Sequence, residues 1–188
     1  KGNFHLFSKD DALNVLNRVE ENSFKIVPGG AAANTMCGVL EMGGIAFFSG
    51  GIGDDDFGNI FRKSLDTTGV SSGLARYEEP TGFVVVLVTP DAERTFVVYP
   101  GASYEMKPDA LDREAMKAST FLYFTGYQFE PEGLRDVVTA GAEYCKKTIT
   151  NVVMNLGDSG VVERTKDDLE PFLREYADIL IANETEAA

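Results

Sequence analysis

The sequence predicts an α/β protein in which a mostly parallel sheet is flanked by helices. Runs rich in β-branched and aromatic residues alternate along the chain with segments whose apolar residues have helical spacing. The predicted strands are Ile45–Phe48, Phe83–Thr89, Thr95–Tyr99, Phe121–Phe124, Val152–Asn155 and Ile179–Ala182. The predicted helices are Lys9–Glu21, Ala32–Met42, Asp55–Thr68, Pro131–Lys147 and Lys166–Tyr176. Strands that alternate with helices connect in parallel, because each crossover returns the chain to the same end of the sheet.

One pair of strands departs from this alternation. Phe83–Thr89 and Thr95–Tyr99 are joined by a connection too short for a crossover helix, so they are predicted to form an antiparallel hairpin. The hairpin either extends the main sheet at its edge or sits elsewhere, outside the parallel sheet. The glycines and the threonine that flank it are candidate hinges, namely Gly73, Thr81, Gly82 and Gly101.

Composition narrows the class of protein. A chain of 188 residues fits one domain, and its net charge of −13 argues against a nucleic-acid partner. No apolar run approaches the roughly 18 residues needed to span a bilayer, and no signal segment opens the sequence, so we expect no membrane partner and a cytoplasmic location. Cys37 and Cys145 cannot form a disulfide framework, and His5, the single histidine, argues against a histidine metal site.

Two glycine-rich segments are candidates for function. In the first, Gly29 and Gly30 let the backbone approach a ligand, and Asn34 can donate and accept hydrogen bonds in the same space. This combination suits a polyhydroxylated molecule, although a tight turn before a helix gives the same pattern. The second segment, 50–58, is predicted to leave a strand and enter a helix whose first turn carries aspartates 54–56. Carboxylates are expected there from the helix dipole without a metal ion.

These segments resemble the PfkB, or ribokinase-type, family of carbohydrate and nucleoside kinases. The pattern Gly-Gly-x-Ala-x-Asn at 29–34, followed by Gly43 and Gly53, is similar to the amino-terminal signature of that family. Met36 departs from the signature, which usually has a small residue there. Asn183-Glu-Thr-Glu186 after a predicted buried strand is similar to the family's Asn-x-x-Glu motif. Segments between the two motifs also resemble the family, so the likeness covers nearly the whole chain.

The resemblance implies a fold and an activity. The fold would be ribokinase-like, with the hairpin serving as an antiparallel lid inserted at approximately 73–101. The activity would be ATP-dependent phosphorylation of a sugar or nucleoside hydroxyl, with Mg²⁺ as the metal. Gly29, Gly30 and Asn34 would bind the substrate. Ala31 offers neither charge nor hydroxyl, which favours a neutral sugar or a nucleoside over a sugar phosphate, and the tail is similar to adenosine kinases. A homodimer formed through the lid is also expected.

The remaining site residues each have two interpretations. Arg94 would reach the phosphates by analogy with the family, or it forms a cross-strand ion pair with Glu93 or another carboxylate. Asn183 and Glu186 would organise magnesium-bound waters without binding the metal directly, or they cap a helix, and both can hold together.

The resemblance also implies that residues 1–188 correspond to the amino-terminal portion of such a kinase. The family's first strand, which carries a substrate-binding aspartate, and its Gly-Ala-Gly-Asp segment, which supplies the catalytic base, have no counterpart in the sequence. We therefore expect the base to lie outside this chain and the chain alone to be inactive. The alternatives are a non-catalytic sugar- or nucleoside-binding module and an inactive fragment.

Overall fold

A computed structural model of the protein describes residues 4–19 and 24–188. The end of the predicted helix Lys9–Glu21 lies outside those residues. The helices of the described ranges are α1 (Lys9–Leu16), α2 (Ala31–Glu41), α3 (Asp56–Thr68), α4 (Arg113–Ala118), α5 (Glu132–Cys145) and α6 (Ser159–Tyr176). The strands are β1 (Phe4–Leu6), β2 (Phe47–Gly53), β3 (Ser71–Tyr77), β4 (Thr81–Val88), β5 (Arg94–Gly101), β6 (Phe121–Thr125), β7 (Asn151–Asn155) and β8 (Ile179–Ile181).

The strands pair mostly in parallel. Strands β6, β7 and β8 form one parallel sheet in that order, and β2 pairs with β3 in parallel. In the third sheet β1 runs parallel to β5, whereas β4 and β5 form an antiparallel hairpin. The predicted fold class and the predicted hairpin are both confirmed, and the hairpin strands are longer than predicted. Whether the hairpin acts as a lid stays a prediction.

The largest buried cluster lies on one face of the β6–β7–β8 sheet. Alternate strand residues point to opposite faces, so Leu122 and Phe124 of β6 lie on the same side as Val152 and Met154 of β7. They pack with apolar residues of α5 and α6, among them Val138, Ala142, Leu169 and Phe172. Helix α2 contacts the sheet through the opposite face, where Tyr123 of β6 and Asn155 of β7 lie.

A second cluster holds α2 and α3 against β2. Ala46, Leu65 and Val70 are buried there. Helix α2 contributes partly buried side chains from its later turns, namely Met36, Cys37, Val39 and Leu40. The second cluster therefore fixes the direction of α2, whose first turn then meets β6.

Several elements differ from the prediction. Strand β3 was not predicted because its residues Ser71–Tyr77 contain no β-branched run, and its register with β2 makes it a strand. Strand β1 and helix α4 are short elements that were also not predicted. Helix α6 begins at Ser159, well before the predicted Lys166, because Asp158 caps it by accepting a hydrogen bond from Val161 N at 3.0 Å.

Candidate functional site

The first candidate segment opens α2. Gly30 has φ 108° and is the residue that precedes the helix, so a non-glycine residue would be strained there. A Cβ added at Gly29 or Gly30 would meet no atom within 4 Å. Asn34 is exposed in the first helical turn, and its backbone N–H donates to Gly30 O at 2.9 Å. The segment is therefore both a turn into a helix and an open surface at which a ligand can reach backbone and amide groups.

Asn183 and Glu186 cap one another after β8. The Asn183 side-chain oxygen accepts from the Thr185 and Glu186 amides at 3.0 and 2.9 Å. Glu186 accepts from Asn183 N and from Asn183 Nδ2 at 3.2 and 2.8 Å. These are the hydrogen bonds of a capping arrangement, but they close a turn at 184–186 and not a helix, and Glu186 is only 9% exposed. Each carboxylate oxygen has two lone pairs, so the pair keeps acceptor capacity for bound waters.

Side chains from two strands connect these segments. Asn155 Nδ2 donates to the Tyr123 hydroxyl at 2.9 Å, and Thr35 Oγ1 lies 3.5 Å from that same hydroxyl. Thr35 follows Asn34 in α2, and Asn155 pairs with Ile181, two residues before Asn183. The polar link Thr35–Tyr123–Asn155 thus joins α2 to the carboxyl end of β7, which lies beside the end of β8 that precedes Asn183.

Tyr123 and Asn155 are not among the site residues predicted from the sequence. The available signal was their spacing, since both are polar residues at odd-numbered positions in strands whose even-numbered positions are apolar. That spacing places them together on one sheet face, opposite the main cluster.

The carboxyl ends of β6, β7 and β8 meet at one edge. Tyr127, which follows β6, donates from its hydroxyl to Gly157 O at 3.1 Å. Burial raises the pKa of Tyr127, and the negative charges of Asp158 and Glu186 raise it further. Loops after three neighbouring strands therefore converge on an edge with negative charge, as expected for a ligand site of an open α/β sheet.

Arg94 lies apart from this link. It begins β5, is exposed, and stands opposite Val88 in the hairpin. Among residues 4–19 and 24–188 it forms no ion pair, so the cross-strand ion pair is not observed there. Its position near the hairpin turn leaves the guanidinium exposed.

The second glycine-rich segment is a close-packed junction. Asp55 caps α3 by accepting from Gly58 N at 2.8 Å, and it also accepts from Thr81 N and Thr81 Oγ1, each at 2.7 Å. Thr81 Oγ1 in turn accepts from Gly53 N at 2.8 Å. Burial works against ionisation of Asp55, but these bonds and the charge of Arg76 together hold its pKa below the ordinary value. The predicted helix start among the aspartates is confirmed.

The flanking glycines of the hairpin are also close-packed. A Cβ at Gly82 would lie 2.2 Å from Pro100 O, and one at Gly101 would lie 2.2 Å from Pro80 O. Their role as hinges stays a prediction.

In the described part of the chain, no helix combines the length and the apolar character needed to cross a membrane.

Comparisons with known proteins identify the family of the chain. The sequence model described as "pfkB family carbohydrate kinase" matches residues 4–188. The chain is 31% identical over 132 residues to probable fructokinase-3 of Arabidopsis thaliana, covering 68% of this chain and 38% of the relative. It is 32% identical over 127 residues to the aminoimidazole riboside kinase of Salmonella typhimurium, covering 65% and 39% respectively.

Solved structures extend the likeness over the whole chain. The adenosine kinase of Sinorhizobium meliloti matches with a TM-score of 0.90 and 30% identity, covering 100% of this chain and 57% of that one. A probable sugar kinase of Rhizobium etli matches with a TM-score of 0.91 and 27% identity, with the same coverage of 100% and 57%. The chain thus matches less than two thirds of the length of these relatives. Because the family model matches residues 4–188, the chain belongs to the pfkB family of carbohydrate kinases.

Proposed function

We propose that the full-length protein transfers a phosphoryl group from ATP to a hydroxyl of a sugar or nucleoside, and that this chain holds the substrate-binding part. The observation that carries the proposal is the polar link between the first turn of α2 and the carboxyl ends of β6–β8. In a member of a carbohydrate kinase family, that link lies between a segment suited to hydroxyl groups and an edge whose carboxylates suit a magnesium ion.

The substrate part of the proposal concerns Gly29, Gly30 and Asn34. The open space at both glycines lets a sugar ring come close to the backbone. The exposed amide of Asn34 can donate to one hydroxyl and accept from another. Ala31 adds neither charge nor hydroxyl, which favours a neutral sugar or a nucleoside. The family relatives named fructokinase, aminoimidazole riboside kinase and adenosine kinase guide the choice of compounds to test.

The phosphate part of the proposal concerns Asn183 and Glu186. Their oxygen atoms are the hard donors that suit Mg²⁺, which keeps most of its own waters when bound to proteins. Glu186 is held rigidly by Asn183, so its carboxylate would receive hydrogen bonds from metal-bound water with little loss of side-chain entropy. Magnesium bound there with ATP would neutralise charge on the phosphates.

Arg94 is proposed as a phosphate contact from the hairpin. A guanidinium presents several donors in a planar fork that matches phosphate oxygens. For Arg94 to reach the strand ends, the hairpin has to close over the substrate, which is the lid role predicted from the family resemblance. The catalytic base is proposed to lie in the part of the family fold that this chain does not match, so residues 1–188 alone are expected to show no turnover.

We also propose that the full-length protein forms a homodimer through the lid, which is the hairpin of β4 and β5. Strand β4 lies at the edge of its sheet, and its alternating residues Val84, Val86 and Val88 are 48%, 44% and 65% exposed. An exposed apolar edge strand is a favourable surface for pairing with another copy. Sedimentation of the full-length protein tests this state, and a monomer at assay concentrations contradicts it.

The experiment for the function is an assay of the full-length protein with ATP and Mg²⁺ against adenosine, aminoimidazole riboside, fructose and ribose. We expect phosphorylation of at least one compound. The Glu186→Gln substitution is expected to act chiefly by lowering turnover, and it is also expected to alter the dependence of the rate on Mg²⁺. Calorimetric binding of a compound without phosphorylation of any would instead support a non-catalytic binding module. If the protein neither binds nor phosphorylates any of the compounds, the substrate assignment is overturned.

A further inference from the structure

The first turn of α2 is attached to the fold differently from the later turns. The later turns pack by apolar contact into the cluster around Leu65 and Val70. The first turn follows Gly30, which has no side chain with which to cap the helix. Ala33 of the first turn is buried as well, but Asn34 beside it is exposed, so apolar contacts hold the helix without holding the Asn34 side chain.

A polar contact is added next to Asn34. The Thr35 hydroxyl donates to Ala31 O at 2.9 Å and lies 3.5 Å from the Tyr123 hydroxyl. A threonine hydroxyl has a single proton, and the shorter bond uses it, so the Tyr123 proton serves the longer contact. Asn155 Nδ2 completes the link by donating to the Tyr123 oxygen at 2.9 Å.

The position of the link connects it with the proposed site. Tyr123 and Asn155 lie on the sheet face opposite the main apolar cluster, and Tyr123 is partly buried. Asn155 stands beside Ile181 in the register of β7 and β8, close to the chain reversal that carries Asn183. A change at Tyr123 would therefore alter how the first turn of α2 sits relative to the strand ends.

We propose that Tyr123 is a positioning residue for substrate binding. Its hydroxyl, oriented by Asn155, holds Thr35 and so sets the direction in which the neighbouring Asn34 faces the ligand. The inference rests on the proposed function, since it assumes that Asn34 binds the substrate. Because Tyr123 acts through α2 and not on the phosphates, its loss weakens binding of the sugar or nucleoside without affecting binding of ATP.

The test uses Tyr123→Phe in the full-length protein, which removes one oxygen atom and keeps the ring. The matched control is Tyr144→Phe on α5, which removes the same atom from a tyrosine outside the site. We expect the KM for the accepted sugar or nucleoside to rise about fivefold, the effect of losing one hydrogen bond, with the KM for ATP unchanged. The Tyr144 variant is expected to match the wild type.

Two further measurements separate positioning from general damage. In an Asn155→Ala background, Tyr123→Phe is expected to add no further rise in KM, because either change breaks the same link. Amide hydrogen exchange at Asn34 and Thr35 is expected to speed up severalfold in Tyr123→Phe, while exchange in α5 stays as in the wild type. The exchange measurement needs no substrate.

The outcomes test the positioning role of Tyr123 and the proposed function separately. An unchanged KM for the substrate overturns the positioning role, whether or not exchange at α2 becomes faster. A KM for ATP that rises equally with the substrate KM also overturns it, since the effect would then not pass through α2. A wild-type protein that phosphorylates none of the compounds overturns the proposed function, and unchanged exchange in Tyr123→Phe would show separately that the link itself is not formed.

Discussion

The two glycine-rich segments look alike in the sequence but differ in the fold. At Gly29 and Gly30 an added Cβ would meet no atom within 4 Å, and the neighbouring Asn34 is exposed. At Gly53 an added Cβ would lie 2.6 Å from Thr81 N, inside a junction of hydrogen bonds. The first segment leaves room for a ligand, whereas the second brings two backbones together. Glycine clusters therefore identify close approach of the backbone, and only the fold tells whether the approaching group is a ligand or the protein itself.

The sharpest test of this contrast compares alanine substitutions at the two segments. Gly53→Ala is expected to lower the free energy of unfolding by about 3 kcal/mol, because the new methyl group would contact backbone atoms that cannot move independently. Gly29→Ala is expected to change stability by less than about 0.5 kcal/mol. Urea denaturation of the full-length variants measures both. Similar losses at both positions would remove the distinction between an open and a packed segment.

The charge of Asp55 gives the next largest expected effect. Its folded pKa lies below the ordinary value of 3.8, so the ionised carboxylate stabilises the folded state at neutral pH. Asp55→Asn is expected to cost about 2 kcal/mol at pH 7, since the hydrogen bonds to a charged acceptor are weakened. In the wild type this stabilisation is lost as the pH falls from about 4 through the folded pKa, and in the variant that part of the pH dependence should disappear.

The control for Asp55 is Asp56→Asn, one residue further along the same helix start. Asp56 lies in the first turn of α3 and is exposed. Its substitution should leave most of the acid dependence in place. Equal flattening of the stability curve in both variants would mean that the helix dipole, and not the junction with Thr81, carries the effect.

At the open segment, substitution of Asn34 is expected to weaken substrate binding and to leave stability almost unchanged. Asn34→Ala should raise the KM for the sugar or nucleoside about tenfold, the loss of one or two hydrogen bonds. The melting temperature should hardly change, because Asn34 is exposed and alanine favours a helix. Steady-state kinetics and thermal melting measure the two quantities. Asn14→Ala, an exposed asparagine on α1, is the control, and an unchanged KM in Asn34→Ala would refute the substrate role.

The smallest expected effect is at Asp54, next to the junction. Its carboxylate lies 2.6 Å from Arg76 Nη1, but the Asp54 side chain is 86% exposed. Asp54→Asn is therefore expected to change the unfolding free energy by no more than about 0.5 kcal/mol. A loss as large as that of Asp55→Asn would show that the exposed ion pair belongs to the junction.

Much of the fold was predictable, for reasons that differ between elements. The strands β6 and β7 were found because they are apolar runs buried in the main cluster. Strand β3 was missed because Ser71, Ser72 and Gly73 have low strand propensity, and its pairing with β2 is a tertiary effect. The predicted start of α6 is late because apolar spacing is weak before Lys166, and the helix begins earlier through the cap formed by Asp158.

The candidate site was likewise predictable only in part from the sequence. The motifs at 29–34 and 183–186 are recognised by their resemblance to the family, and the hydrogen bonds between Asn183 and Glu186 agree with their separation of three residues. Tyr123 and Asn155 were missed because each looks like an ordinary strand residue. The contact of Tyr123 with Thr35 of α2 joins residues that are 88 positions apart in the sequence, which no local pattern can indicate.

The sequence by itself determined the alternation of strands and helices, the hairpin and the membership of the glycine segments in a kinase-like pattern. The alternation and the hairpin follow from local spacing and propensity, which act over a few residues, whereas the kinase-like pattern is recognised by its resemblance to the family. Only the tertiary structure decided which glycine segment is open and which is packed, and that Tyr123 lies between α2 and Asn155. Both depend on which distant backbones and side chains meet, and burial and hydrogen bonding across the sheet decide that after the local elements have formed.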